Sequence, residues 1–294
     1  MIRRLHLVDG TFELFRAHYA PRPDHLAADG RTAKAAVGAV RSLLLVLQAE
    51  PERATHIAAA FDNPIESFRN DLFTGYKSGE GIEPDLRRQF DLVEEGVAAI
   101  GVVVWRMDRW EADDALATAA LRWKDACEQV RIMTPDKDLG QVVDGSRVVQ
   151  VDVIRRRDIN EDAVRKRRTA PESIPDFLAL TGDSADGIPG LPKFGDKTAA
   201  SLLGAYGHIE NIPDDSADWT VKVRGAARLA ETLRERREDA LLYRRLATLA
   251  TDVPLTETLD DLEWRGAHRD AFSDWCERVA SPALATAPQR WRDE

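Results

Sequence analysis

Hydrophobic positions along the chain alternate between short dense runs and runs of helical period. Residues 3–8 (RRLHLV) predict a buried strand ending at Asp9-Gly10, and Phe12, Leu14, Phe15 and Tyr19 then recur at helical spacing. A second helix is predicted over about 32–49, capped by Thr32, with Ala36, Val37, Val40, Leu43, Leu44 and Leu47 on its apolar face. The run THIAAAFD (55–62) predicts another strand that ends in an acid. From Pro64 to about Asp85 the period is lost, and Phe68, Arg69, Phe73, Tyr76, Lys77, Gly79 and Gly81 collect in what reads as a long functional excursion. Helix (85–100), strand (102–106), helix (about 111–126), strand (129–133), short helix (136–142) and strand (147–151) follow. Such alternation predicts an α/β fold with a mainly parallel sheet flanked by helices.

Beyond about residue 160 the pattern turns helical, with glycine-rich turns at 182–195 and a charged helical stretch over 222–250. The expected division is an α/β core over 1–170, its excursion lying at about 64–95, and a helical subdomain with a tail over 171–294. The tail after Ser281, with Pro282 and Pro288, is expected to be loosely ordered.

At 294 residues and 44% hydrophobic content the chain can bury a sizeable core. No apolar targeting region follows Met1 and no run of eighteen apolar residues occurs, so the expectation is a cytoplasmic protein with no membrane segment. Cys127 and Cys276 lack metal-type spacing and read as buried packing residues. The net charge of −10 argues against a nucleic-acid partner, because such binding usually leaves a basic footprint. That objection is answered if many of the acids converge on bound cations, which invert the local field.

The acids are placed to do so. Asp9, Asp62, Glu111 with Asp113 and Asp114, and Asp136 with Asp138 all fall at or just beyond the ends of predicted strands, the rim where open parallel sheets bind ligands. Asp183 and Asp186 lie in the loop TGDSADGIPG. Carboxylates gathered in this way repel one another unless hard cations such as Mg²⁺ or Mn²⁺ sit among them. Two such ions can activate a water and clamp an in-line phosphoryl displacement. A single Asp after a strand is more often a helix cap, and Asp114 and Asp183 are the members most readily given structural work. The glycines at 187, 190 and 195 permit tight turns, a helix N-terminus can receive phosphate oxygens, and Lys193 and Lys197 add charge. The segment is not a phosphate-binding Walker loop, because Asp196 separates Gly195 from Lys197 and no strand leads into it. Leu7 likewise excludes the aspartyl nucleophile of haloacid-dehalogenase phosphatases from the segment VDGT.

These residues carry a resemblance. LVDG (7–10), FDNPIESFRNDLFTGYK (61–77), WEADDALA (110–117), TPDKDL (134–139) and TGDSADGIPGLPKFGDKTA (181–199) resemble, in this order and spacing, the 5′-nuclease family of flap endonucleases and 5′-3′ exonucleases. The resemblance covers roughly residues 3–260 and implies a PIN-like core with a helix-hairpin-helix-type DNA-binding subdomain. It also implies a free-standing, monomeric enzyme that hydrolyses DNA at 5′ ends, flaps or branches. By the resemblance, Asp9, Asp62, Glu111 and Asp113 serve the ion that activates water. Asp136, Asp138, Asp183 and Asp186 serve the second ion, with Asp114 at the boundary. Lys77 and Arg69 match basic residues that reach the scissile phosphate, Phe73 and Tyr76 match stacking aromatics of the arch, and Gly190, Lys193, Gly195, Lys197 and Thr198 match the duplex-gripping element, which in relatives can hold K⁺. Two departures stand out: Phe73 replaces a Tyr, and Glu80 stands where the family usually has Arg. Basic runs at Arg155–Arg157, Arg165–Arg168 and Lys222–Arg237 are further candidates for duplex contact. Two rival readings remain open: a catalytically weak protein that clamps branched DNA, and a PIN-like ribonuclease.

Overall fold

A computed structural model describes residues 3–49, 54–167 and 169–292, so Arg168 of the second basic run lies outside the described residues. The chain divides into two compact units.

The first unit comprises Met1–Ile65, Gly79–Thr134 and Thr251–Glu294. Its strands β1 (Arg4–Asp9), β2 (His56–Asp62), β3 (Val103–Met107) and β4 (Gln129–Met133) lie in the order β3-β2-β1-β4, and all three pairings are parallel. The register pairs Leu7 with Ala58 and Ile132, and Val8 with Ala59 and Met133. Parallel strands covered on both faces read as unbroken apolar runs, and β2 is buried from His56 to Phe61. Helices Gly10–Tyr19, Lys34–Gln48, Gln89–Ala99 and Ala112–Trp123 supply the crossovers and cover. The second helix begins one residue after Ala33, which makes no side-chain cap, so Thr32 does not cap it as expected.

The C-terminal segment belongs to this unit rather than to the helical one, because its tryptophans are anchored here. Trp264 Nε1 donates to Ile100 O and Trp275 Nε1 to Leu92 O, and the Trp275 ring fills the space that a side chain at Gly96 would need. The tail after Ser281 is packed as well: Leu284 is buried, and Ala267 exchanges backbone hydrogen bonds with Arg290 and Arg292.

The second unit comprises Glu66–Ser78 and Pro135–Ala250. An antiparallel pair, β5 (Val148–Asp152) and β6 (Arg157–Ile159), accompanies helices Ile174–Thr181, Asp196–Tyr206, Ala226–Glu235 and Arg237–Ala247. These helices bury Phe177, Leu178, Leu180, Leu202, Leu203, Leu233 and Leu246 against one another, with Tyr76 in the same core. Asp176, itself buried, ties them together by accepting from His208 Nδ1 (2.9 Å), Ile209 N (3.1 Å) and Arg244 (3.1 Å).

Candidate metal centre

In the first unit Asp9 ends β1 and caps the helix Gly10–Tyr19, Oδ1 accepting from Phe12 N at 2.8 Å and Oδ2 from Thr134 Oγ1 at 3.0 Å. Gly10 is required beside it, since a Cβ there would lie 2.4 Å from the Phe61 ring that underpins this turn. Asp62 ends β2; its backbone N–H donates to Thr11 Oγ1 at 2.8 Å, and its Oδ1 accepts from Ala112 N at 2.8 Å. Glu111 and Asp114 form a reciprocal capping box at the start of the next helix, with Asp114 fully buried and accepting from Glu111 N at 3.0 Å. Asp114 therefore does the work of a cap. Asp113, in the first turn of the same helix, is partly exposed. Helix N-termini attract negative charge, which offsets the mutual repulsion of these carboxylates. Capping also leaves lone pairs over, since an ionised carboxylate offers about four acceptor sites.

In the second unit Asp136 is exposed and caps the 3₁₀ helix Lys137–Val142 by accepting from Asp138 N at 2.9 Å. Asp183 and Asp186 sit in a loop closed by a reciprocal pair of 2.8 Å backbone bonds between Asp183 and Ile188. Gly187 (φ +74°) lets this loop touch the segment before Lys77, because a Cβ there would stand 2.2 Å from Gly75 O. The Lys77 backbone N–H donates to Asp186 O at 3.0 Å and its Nζ pairs with Asp186 Oδ1 at 2.9 Å. Lys137 Nζ pairs with Asp183 Oδ2 at 2.9 Å.

Electrostatics tie the four acids of this unit together. Burial, then the charges of Asp136, Asp183 and Asp186, push the Asp138 carboxyl from its ordinary 3.8 up to about 8. Asp183 goes the other way: although burial opposes its charge, the Lys137 ammonium and the N–H groups of Ala185 and Asp186 hold its carboxyl below the usual range. Asp138 Oδ1 is buried with no hydrogen-bond partner among the described residues. An orphaned buried carboxylate oxygen in an all-oxygen donor set suits a hard divalent cation. Among the described residues no three of these side chains meet as a preformed cage. Backbone amides and the two lysines engage them instead.

Two expected contacts with DNA, Arg69 and Tyr76, are corrected. Arg69 is 1% exposed and donates from Nε to Leu246 O (2.7 Å) and from a terminal nitrogen to Thr248 O (2.9 Å). Those carbonyls end the helix Arg237–Ala247, where a cation meets the negative end of the helix dipole, so Arg69 is a buried C-terminal cap rather than a phosphate ligand. Tyr76 is buried in the core of the second unit, and Phe73 packs edge-on against Tyr243 with ring centroids 5.9 Å apart. Tyr76 therefore offers no open stacking face, whereas Phe73 stays partly exposed. Of the duplex-gripping element, Lys193, Gly195 and Lys197 are exposed, Gly195 caps the helix Asp196–Tyr206, and Thr198 N donates to Gly195 O at 2.9 Å. Gly190 (φ +70°) is buried, and a Cβ there would meet Gly182 N at 2.4 Å. In the first basic run Arg155 and Arg157 both pair with Asp152. The residues that sequence reasoning missed are Lys137, Thr134 and Thr11, each within two positions of a recognised acid but of a type that carries no signal alone.

A parallel sheet with carboxylates at its carboxyl ends, together with a helical unit bearing a second acid set, is an architecture suited to hard cations. A family model for the N-terminal resolvase-like domain of 5′-3′ exonucleases matches residues 4–169, and one for their C-terminal SAM fold matches 169–270. The chain belongs to the 5′-3′ exonuclease family. It is 34% identical to DNA polymerase I of Bacillus caldotenax over 299 residues, covering 96% of this chain and 33% of that protein. With DNA polymerase I of Pseudomonas aeruginosa it shares 35% over 276 residues, covering 90% and 29%. The chain thus spans about a third of the length of the curated relatives it matches. Among solved structures it is similar to zinc-bound T5 5′-exonuclease (TM-score 0.64, 16% identity, 96% of this chain and 100% of that one). It is also similar to the catalytic core of Rad2 in complex with a DNA substrate (TM-score 0.58, 12% identity, 96% and 89%). At these identities the likeness is one of fold, and a mainly parallel core followed by a helical SAM-fold subdomain agrees with the expected architecture.

Proposed function

We propose that this chain is a structure-specific 5′-nuclease that hydrolyses phosphodiester bonds at 5′ ends, flaps or branches of DNA, leaving 5′-phosphate and 3′-hydroxyl ends. The observation that carries the reading is the second acid set, where a buried Asp138 with an unpartnered oxygen feels three neighbouring carboxylates. Asp9, Asp62, Glu111 and Asp113 would hold one Mg²⁺ or Mn²⁺, and Asp136, Asp138, Asp183 and Asp186 the other. Divalent ions in such sites supply an activated water and neutralise the charge of the departing oxygen. The protein's own part is positional. The capped helix starts fix the backbone at Asp9, Asp62 and Glu111, and the closed loop fixes Asp183 and Asp186. Lys77 is the cation for the scissile phosphate, which it reaches by exchanging Asp186 for a phosphate oxygen.

The start of the helix Asp196–Tyr206, with Lys193 and Lys197 exposed beside it, is the duplex-backbone contact, and carbonyls of the preceding hairpin are candidates for K⁺. Among the described residues no helix is long and apolar enough to cross a membrane. The same proposal makes it a monomeric cytoplasmic enzyme of DNA replication and repair. Labelled flap, gapped, nicked and single-stranded DNAs and an RNA flap, incubated with Mg²⁺ or Mn²⁺, test it. Cleavage is expected on 5′-ended DNA and lost in Asp113→Asn and Asp136→Asn without loss of fold. Wild-type turnover in either variant would overturn the metal-ligand assignment, and preference for the RNA flap would overturn the substrate.

A further inference from the structure

Lys137 stands between Asp136 and Asp138, and its ammonium reaches Asp183 Oδ2 at 2.9 Å. Asp183 is buried, with Oδ1 already taken by Ala185 N, so the lysine supplies the cation that its other oxygen needs. The neighbouring Asp138 feels the charge of Lys137 but forms no ion pair among the described residues, and its Oδ1 is buried without a donor. Lys137 and Lys77 are thus ammonium groups paired with carboxylates of this set, at Asp183 and Asp186. The two partners also differ in freedom. The Lys137 side chain is 40% exposed and Asp183 only 7%, so the ammonium can withdraw to water on its flexible stem while the carboxylate cannot.

We infer that Lys137 is a built-in substitute cation of the second acid set, which neutralises Asp183 while the set is free of ions and is displaced into solvent when a divalent ion binds. The inference rests on the metal-ligand reading of these acids. An ammonium satisfies one oxygen as a monovalent charge, whereas a divalent ion draws several carboxylates at once and gives Asp138 Oδ1 the partner it lacks. Each binding event then includes the rupture of the Lys137–Asp183 pair, so this residue lowers the affinity of the set for metal and protects the ion-free fold from an uncompensated buried charge.

The test is a Mn²⁺ titration of the full chain without DNA, by calorimetry and by the spin-resonance signal of free Mn²⁺, beside thermal melts in chelator. Lys137→Met, Lys137→Gln, Lys137→Arg and Asp183→Asn are compared with wild type. Lys137→Met is expected to melt lower in chelator, to bind Mn²⁺ about tenfold tighter at one site because a like charge has left its surroundings, and to gain more melting temperature from Mn²⁺. Lys137→Gln should show the same gain in affinity if the Met variant does not fold without metal, and Lys137→Arg should bind no tighter than wild type. Unchanged or weaker Mn²⁺ binding in both neutral variants, with Asp183→Asn losing a site, overturns the role of Lys137 alone. Identical binding by Asp183→Asn and wild type overturns the metal-ligand reading and the inference with it.

Discussion

Asp138→Asn should make the ion-free protein more stable, and increasingly so as the pH rises. In the wild type, burial and three neighbouring carboxylates raise the Asp138 carboxyl from 3.8 to about 8. The folded state thus holds this proton more tightly than the unfolded chain does. The resulting stability is complete below the unfolded value, declines as pH rises between the two, and is fully lost above the folded one. Converted by linkage, the whole interval is a ceiling of about 6 kcal/mol. Loop relaxation and water entry reduce the effective penalty of such groups, so an effect on the order of 2 kcal/mol is expected, which corresponds to roughly 4–8 °C in melting temperature for a protein of this size. Asn keeps the shape of the side chain without the ionisation, and the Asp136 cap is preserved because it uses the backbone N–H of residue 138. Melts followed by circular dichroism in chelator at about pH 4, 7 and 9 span the titration. The variant should match wild type at the lowest pH and exceed it at the highest, and Mn²⁺ should reverse the order by stabilising wild type alone. A difference in melting temperature that stays constant across the three pH values would refute the argument that Asp138 is a buried, charge-crowded carboxyl.

Arg69→Met should destabilise the fold by roughly 3 kcal/mol, measured by denaturant unfolding, because it strands the Leu246 and Thr248 carbonyls. Its loss of activity should follow its loss of fold, whereas Lys77→Ala should lose activity with its melting temperature nearly intact. Lys193→Ala combined with Lys197→Ala should weaken DNA binding regardless of sequence and flatten the logarithmic salt dependence by up to about 0.9 for each phosphate contact removed. Glu80→Arg, at an exposed position where the family usually carries Arg, should speed cleavage of substrates with free 5′ single strands at low salt and approach wild type near physiological salt, where exposed charges are screened beyond about 8 Å. Equal rates at low salt would place residue 80 off the DNA path.

The alternation of elements was legible in the sequence because it depends on local period. The apolar runs 3–8, 55–62 and 129–133 are strands, and the acids that follow them stand at strand ends or helix starts. The grouping of Asp136, Asp138, Asp183 and Asp186 was legible only in part: their spacing marked them as candidates, but it is the closed loop that lets each shift the proton affinity of Asp138. The tail after Ser281 misled because prolines and weak periodicity resemble disorder, while the contacts that order it come from Ala267, which exchanges backbone bonds with Arg290 and Arg292, and from Gln48, whose Nε2 donates to Ala287 O.

By itself, then, the sequence determined the order of strands and helices, the positions of the carboxylates on that framework and the glycines that permit the tight loop, since each follows from backbone geometry and residues within a turn or two. Tertiary structure alone decided what the charged and aromatic side chains of the excursion do. Arg69, Phe73 and Tyr76 carry the same chemistry whether they face DNA or an interior, and only long-range closure of the chain placed Arg69 on the end of the helix Arg237–Ala247 and the two rings against its core. The same closure paired Lys137 with Asp183, forty-six positions apart by subtraction of their numbers. Local period reports which face of an element is apolar; the partner that a buried charge meets is fixed by whichever distant segment arrives to satisfy it.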